Sequence, residues 1–299
     1  MNQPADTRHQ GVAAALGAFI IWGLAPIFFK WIASVDPLEI IGHRILWSVP
    51  MLAGFLLLRD GPGFWRRLKL PLRDILILAC SGVLVSANWL IYVWAVNTDR
   101  VLSTSLGYFI GPLVYALLGF LFLGERLSRI QTLALGLAGL GTAYLAWTLG
   151  VAPWISLGLA FSFGFYALVR KRLAVGPMVG LLWETALLAL PALVFIGVRW
   201  SDQALQFGQQ SLRIDMLLVL CGLITVLPLV WFNLAARSLS LTVIGFLQYL
   251  SPTLTFLLAV FFFGEPFTPG HAVAFSCIWT GLLMVTLESV WRSRRARLA

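Results

Sequence analysis

Two ionisable side chains lie inside apolar runs: Arg44, which follows His43 and precedes Trp47 by one helical turn, and Glu184, which follows Trp183. A charged group at the centre of a bilayer costs roughly 2.5–3.5 kcal/mol on insertion scales, so such a residue needs a partner, water or a task. An arginine can clamp a carboxylate through two parallel N–H···O bonds. A glutamate can titrate and relay a proton, or close an ion pair. The two positions are 184 − 44 = 140 residues apart. Both are expected to face one central cavity, where they either lock two helices as an ion pair or hold a solute's anionic group while Glu184 exchanges a proton.

Other polar groups accompany them. Asn88, Asn97, Asn233 and Gln248 fall in or at the ends of apolar runs, where interhelical hydrogen bonding is an equal reading for each. Trp22, Trp47, Trp89, Tyr108, Trp183 and Tyr249 sit mid-run beside them. Aromatic faces of that kind can enclose a flat or amphipathic solute, although many aromatics in so apolar a chain must face lipid. The expected substrate-binding set is therefore Arg44, Glu184, His43, Trp47, Trp22, Asn88, Trp89, Tyr108, Trp183, Gln248 and Tyr249.

Enzymatic constellations are missing from the sequence. There is no glycine-rich phosphate loop and no metal-ligand spacing. His9, His43 and His271 are far apart, and Cys80, Cys221 and Cys277 each lie in an apolar run. No cofactor, metal or ATP-driven cycle is expected.

The elements that position these residues follow from composition. Of 299 residues, 60% are hydrophobic and 11% charged, against about 25% charged in soluble domains. A membrane helix needs about 20 mostly apolar residues. Ten such runs are expected, at 11–32, 37–58, 74–96, 101–123, 129–148, 152–170, 177–198, 214–236, 241–263 and 268–290. The first is too long for a signal-peptide core and is read as a retained helix. The longest connections are 59–73 and 199–213, and Phe64–Leu70, with Trp65, Arg66, Arg67 and Lys69, is either a solvated basic loop or a surface-lying segment.

Charge orients the ten runs. Of the 21 Lys and Arg, sixteen fall on the side of both termini and four on the other (Lys30, Arg100, Arg199 and Arg213), with Arg44 inside a run. By the positive-inside rule both termini are cytoplasmic. The net charge of +9 then reflects loops facing lipid headgroups, and no nucleic-acid partner is expected.

The chain also repeats itself. At an offset of 140, Pro112 aligns with Pro252, Gly124 with Gly264, Glu125 with Glu265, Ala95 with Ala235 and Lys30 with Arg170. This pairs segments 1–5 (residues 1–148) with segments 6–10 (149–299). Five is odd, so the second half enters the membrane from the opposite side, an inverted-topology repeat. Proline loosens or kinks a helix. Pro112 and Pro252 at matching mid-helix places therefore point either to a transport site near the midplane or to kinks that serve packing. Gly124-Glu125 and Gly264-Glu265 read as helix ends with glycine caps.

The strings WGLAPIFFKW (22–31), EIIGHRILWS (39–48), NWLIYVWAVN (88–97), SLGYFIGPL (105–113), FLGERLS (122–128) and GFLQYLSPTLTFLLAV (245–260) carry a resemblance. The chain resembles the drug/metabolite transporter superfamily, EamA type, and within it the RarD group of bacterial permeases. The resemblance implies an all-α inner-membrane protein of ten helices in two inverted five-helix repeats. It also implies secondary transport of small metabolites, amino-acid-like solutes or drugs, with membrane lipid as the surroundings. Export by alternating access in a single chain is the expected function. An uncoupled channel-like facilitator, or an intramembrane enzyme or lipid-handling protein, is the alternative.

Overall fold

The computed structural model describes residues 5–97, 101–150, 153–262 and 268–298. Among them the chain is helical, as a bilayer demands. Without water to satisfy exposed N–H and C=O groups, a spanning segment must bond its own backbone. The helices are α1 (Ala5–Trp31), α2 (Pro37–Asp60), α3 (Leu72–Asn97), α4 (Val101–Leu123), α5 (Arg129–Leu149), α6 (Pro153–Arg172), α7 (Pro177–Ser201), α8 (Leu212–Ser238), α9 (Leu241–Gln248), α10 (Leu250–Leu257) and α11 (Pro269–Leu298). A 3-10 stretch, Gly61–Leu68, follows α2, and a π turn, Leu258–Phe262, follows α10.

Nine spans among the described residues are long and apolar enough to cross a membrane. One of them, Leu241–Phe262, is the composite of α9, α10 and the π turn. The tenth crossing is α6, whose 20 residues end in Arg170, Lys171 and Arg172. Helix starts follow local chemistry. Asp36 accepts the amides of Leu38 and Glu39 ahead of Pro37, and Ser128 and Gln131 close a capping box on α5, each satisfying otherwise orphaned N–H groups.

The two sequence halves interleave. α1 packs on α8 and α10, α2 on α7 and α8, α3 on α6 and α7, α4 on α6 and α9, and α5 on α11. Exchange each helix for its repeat equivalent and this list maps onto itself. Three of the five self-equivalent pairs, α2 with α7, α4 with α9 and α5 with α11, are in direct contact and so flank the two-fold axis. Close approach at α4–α9 depends on small residues: a Cβ on Gly245 would stand 2.9 Å from the Pro112 carbonyl oxygen.

The two prolines act differently. α4 runs through Pro112 as one helix. The equivalent segment stops at Gln248 and restarts at Leu250, two residues before Pro252. The single ninth helix expected from sequence is thus broken at Tyr249. Pro252 has no N–H for the Gln248 carbonyl four residues earlier. The Tyr249 hydroxyl instead donates to the Phe109 carbonyl oxygen, at 3.3 Å.

Candidate functional site

Arg44 projects from α2 into a pocket of rings. Its guanidinium carbon lies 4.7 Å from the Trp89 ring centroid and 5.7 Å from that of Phe29. Its Nε donates to Thr225 Oγ1 at 2.9 Å. No ion pair among the described residues includes Arg44, and their hydrogen bonds use only its Nε. Side-chain exposure is intermediate, so the terminal nitrogens remain for another acceptor. Tyr92, Tyr108 and Cys221 lie within reach of its charge. The two tyrosine rings are 6.3 Å apart, with Tyr108 44% exposed. Aromatic faces stabilise the cation without neutralising it.

Beside this pocket, the Trp47 indole donates to His43 Nδ1 at 3.1 Å. His43 lies 4.8 Å, ring to ring, from Phe207, and its Nε2 is 3.9 Å from Glu39. Glu39 is fully buried and accepts the backbone amides of Gln206 and Phe207, both at 2.9 Å. The connection between α7 and α8 is thereby pinned over the start of α2.

Glu184 does not meet Arg44. Its Oε1 lies 3.5 Å from Arg170 Nε and accepts the Ser81 hydroxyl, while the Tyr166 hydroxyl donates to Oε2 at 3.4 Å. Asn233 in turn donates to the Tyr166 oxygen at 2.9 Å. Arg170 and Glu184 are each 1% exposed. The reason is register. Antiparallel α2 and α7 bring Gly42 against Ile196, which is 196 − 184 = 12 residues beyond Glu184. The helices cross on the axis, but residues 44 and 184 lie on either side of the crossing. Arg170, which the charge count assigned to a loop, is a core residue, and Gly180 makes room for it: a Cβ there would stand 2.1 Å from Arg170 Nη1.

The remaining candidates disperse. Trp22 packs against Phe19, Phe163 and Phe232 in the core. Asn88 donates to the Leu159 carbonyl and Ser162 hydroxyl, both at 2.9 Å, and so ties α3 to α6. Trp183 donates to the Leu68 carbonyl at 3.1 Å, holding the 3-10 stretch. Gln248 lies over Gly111 at the α4–α9 crossing, buried, with no partner for its Oε1 among the described residues. Tyr249 is buried at the same crossing. The side chain of Asn97 and the pair Gly264-Glu265 lie outside what is described. Sequence reasoning missed Ser81, Tyr166, Thr225 and Phe29. One signal was available: Ser81 and Cys221 share the offset of 140, and they flank Glu184 and Arg44 respectively.

The end of the bundle that carries both termini is clamped shut. Gly124, at φ 64°, turns the chain out of α4 so that Glu125 caps α9. The carboxylate accepts the Leu241 amide at 2.7 Å and, from Thr242, the amide at 3.0 Å and the hydroxyl at 2.8 Å. Lys171 donates to the Ala236 and Leu239 carbonyls at the end of α8, and Arg172 to the Phe122 carbonyl at the end of α4. Acid on a helix start and bases on helix ends both suit the helix dipole.

Two matches to one family model, EamA-like transporter family, cover residues 9–147 and 151–287. The chain belongs to the EamA-like transporter family. Among its EamA relatives is the Protein RarD of Salmonella typhimurium, 45% identical over 97% of this chain and 99% of that one. The uncharacterized transporter YojE of Bacillus subtilis is 40% identical over 97% and 98%, respectively. The chloramphenicol-sensitive protein RarD of Pseudomonas aeruginosa is 32% identical over 94% of each chain. A crystal structure of 19% identity superposes with a TM-score of 0.72 over 93% of this chain, which shows the same fold. This EamA protein is accordingly a multi-pass membrane protein of a transporter family.

Proposed function

We propose that the protein is a secondary permease that exports small amphipathic solutes with an anionic group, such as amino-acid-like metabolites and drugs, by alternating access. The observation that carries the reading is Arg44: a cation in a membrane helix, bounded by Trp89 and Phe29 and without a carboxylate among the described residues. A solute carboxylate would take the unused guanidinium edge, and the Tyr92 and Tyr108 rings would cover its apolar part. His43 and Trp47 position the neighbouring turn of α2.

Alternating access is supported by the contrast between the two ends. Arg44 is partly exposed on one side of the helix crossing, whereas Glu184 is sealed on the other behind the clamps of Glu125, Lys171 and Arg172. Opening that end would expose the Arg170–Glu184 pair, where Glu184 would take up or give up a proton. The termini are assigned to the cytoplasm of a bacterial inner membrane, in keeping with the basic residues on that side. One chain holds both halves and works as a monomer.

The deciding experiment is uptake and efflux in proteoliposomes with a panel of labelled amino acids and drugs, for wild type, Arg44→Ala and Glu184→Gln. Gradient-driven movement of one class of solute, lost in Arg44→Ala while the protein stays folded, is the expected result. Flux that no gradient drives uphill would replace the permease with a channel-like facilitator.

A further inference from the structure

The outer face of the bundle carries a pair of arginines above an apolar groove. At the end with the termini, Arg59 closes α2 and Arg67 lies in the 3-10 stretch after it. Both reach the single carboxylate of Asp60. Arg59 Nε and Nη2 lie 3.0 and 2.8 Å from its two oxygens, and Arg67 Nη1 lies 3.3 Å from Oδ2. Two guanidinium groups on one carboxylate leave a net charge of +1, and the arginine side chains remain 48% and 58% exposed. Asp60 therefore sets two cations side by side that would otherwise repel. Arg59 Nη1 donates only to the weak Met178 Sδ acceptor, at 3.5 Å, which a phosphate accepting from both guanidiniums would replace.

Below the arginines the surface turns apolar. A groove of about 420 Å³ runs from Arg59 between α2, α7 and α8, lined by Phe55, Leu58, Met178, Val226, Val230 and Trp231. A second groove of about 490 Å³ adjoins it, shares Arg59, Met178 and Val230, and contains Arg67 and one carboxylate, Asp74. Leu58 is 85% exposed on this face, and Trp65, in the same 3-10 stretch as Arg67, is 63% exposed while its neighbour Phe64 is buried. An exposed tryptophan among Arg66, Arg67 and Lys69 places this stretch at the boundary of headgroups and hydrocarbon.

We propose that this groove is a specific site for one anionic phospholipid, with its phosphate on Arg59 and Arg67 and an acyl chain along the trough beside Phe55, Leu58 and Trp231. Charge complementarity selects the headgroup and the apolar trough selects a lipid over a free anion. The site is formed by α2 of the first repeat with α7 and α8 of the second, so a bound lipid bridges the two. The assignment is independent of what the protein carries.

The test is native mass spectrometry of the full chain purified in detergent and given equimolar phosphatidylglycerol and phosphatidylcholine. One phosphatidylglycerol is expected to be retained on the order of tenfold over phosphatidylcholine, from two basic contacts near the surface. The double variant Arg59→Gln/Arg67→Gln should bring the ratio to about one. Leu58→Trp, which fills the trough and leaves the arginines in place, should lower retention of phosphatidylglycerol. Melting temperatures without added lipid check that each variant folds, and Arg67→Gln alone serves if the double variant does not. Equal retention of the two lipids by wild type, or an undiminished preference in the arginine variants, overturns the proposal. So does full competition by glycerol 3-phosphate, which would mark a free-anion site, or a dimer that excludes lipid from the groove.

Discussion

Arg44 and Glu184 are repeat equivalents of opposite charge, and both lean on the same helix: Arg44 on Trp89 and Glu184 on Ser81 of α3. Those contacts are 89 − 81 = 8 residues apart, or about 12 Å at 1.5 Å per residue. The inverted repeat has placed a cation towards one end of the protein and an anion towards the other. The anion is answered within its own half by Arg170. The cation is answered by aromatic rings and Thr225 alone among the described residues.

Removing the cation tests the site. Arg44→Ala takes away a charge-assisted contact worth about 1.5–3 kcal/mol, so solute affinity should fall roughly 10- to 150-fold. Arg44→Lys should recover part of it, since an ammonium keeps the charge but loses the planar fork. Dose–response curves of proteoliposome flux give both values. Equal affinity in Arg44→Ala would remove Arg44 from the site.

Breaking the buried pair tests its cost. Glu184→Ala leaves the Arg170 charge alone in the core, and removal of one member of a buried pair costs about 3–5 kcal/mol. Replacing both, as in Arg170→Met/Glu184→Leu, should restore most of that stability. Thermal melts of the three variants measure it. Flux in Glu184→Gln separates a proton role from a packing role: pH-dependent transport that stays as in wild type would leave Glu184 a structural residue.

The clamp on α9 has its own signature. Glu125→Gln weakens a cap that accepts two backbone amides and a hydroxyl. Loss of a cap costs about 1–2 kcal/mol, which shifts an open–closed balance roughly 5- to 30-fold. On a cysteine-free background, Ser240→Cys should react faster with a membrane-impermeant maleimide when Glu125→Gln is added. An unchanged rate would mean that the clamp does not hold that end closed.

The fold was largely written in the sequence because a bilayer allows few solutions. Runs of about 20 apolar residues fix the crossings, and the offset of 140 relates the halves. The same offset misled the pairing of residues. It equates positions but says nothing of which ones touch, and the α2–α7 register that separates Arg44 from Glu184 is set by side chains such as Ile196 against Gly42. Arg170 looked like one more loop charge since it adjoins Lys171 and Arg172 in sequence. Only helix packing shows that the three point to a carboxylate, the end of α8 and the end of α4. The unequal effects of Pro112 and Pro252 depend likewise on neighbours that sequence does not reveal.

The α4–α9 crossing offers a last test, since its two glycines face different obstacles. A methyl on Gly245 would meet the backbone of Pro112, with the carbonyl oxygen at 2.9 Å and the Cα at 3.2 Å. Backbone cannot step aside, so Gly245→Ala must push the helices apart at an overpacking cost of about 1–3 kcal/mol. A methyl on Gly111 would meet Gln248 Nε2 at 3.0 Å, the far end of a side chain that can swing away. Gly111→Ala should therefore be the milder change, by about 1 kcal/mol or more, although both remove one glycine from the same interface. Comparing the two melts in one detergent checks the order. If Gly245→Ala proves the milder, the helices do not cross as closely at Pro112 as described.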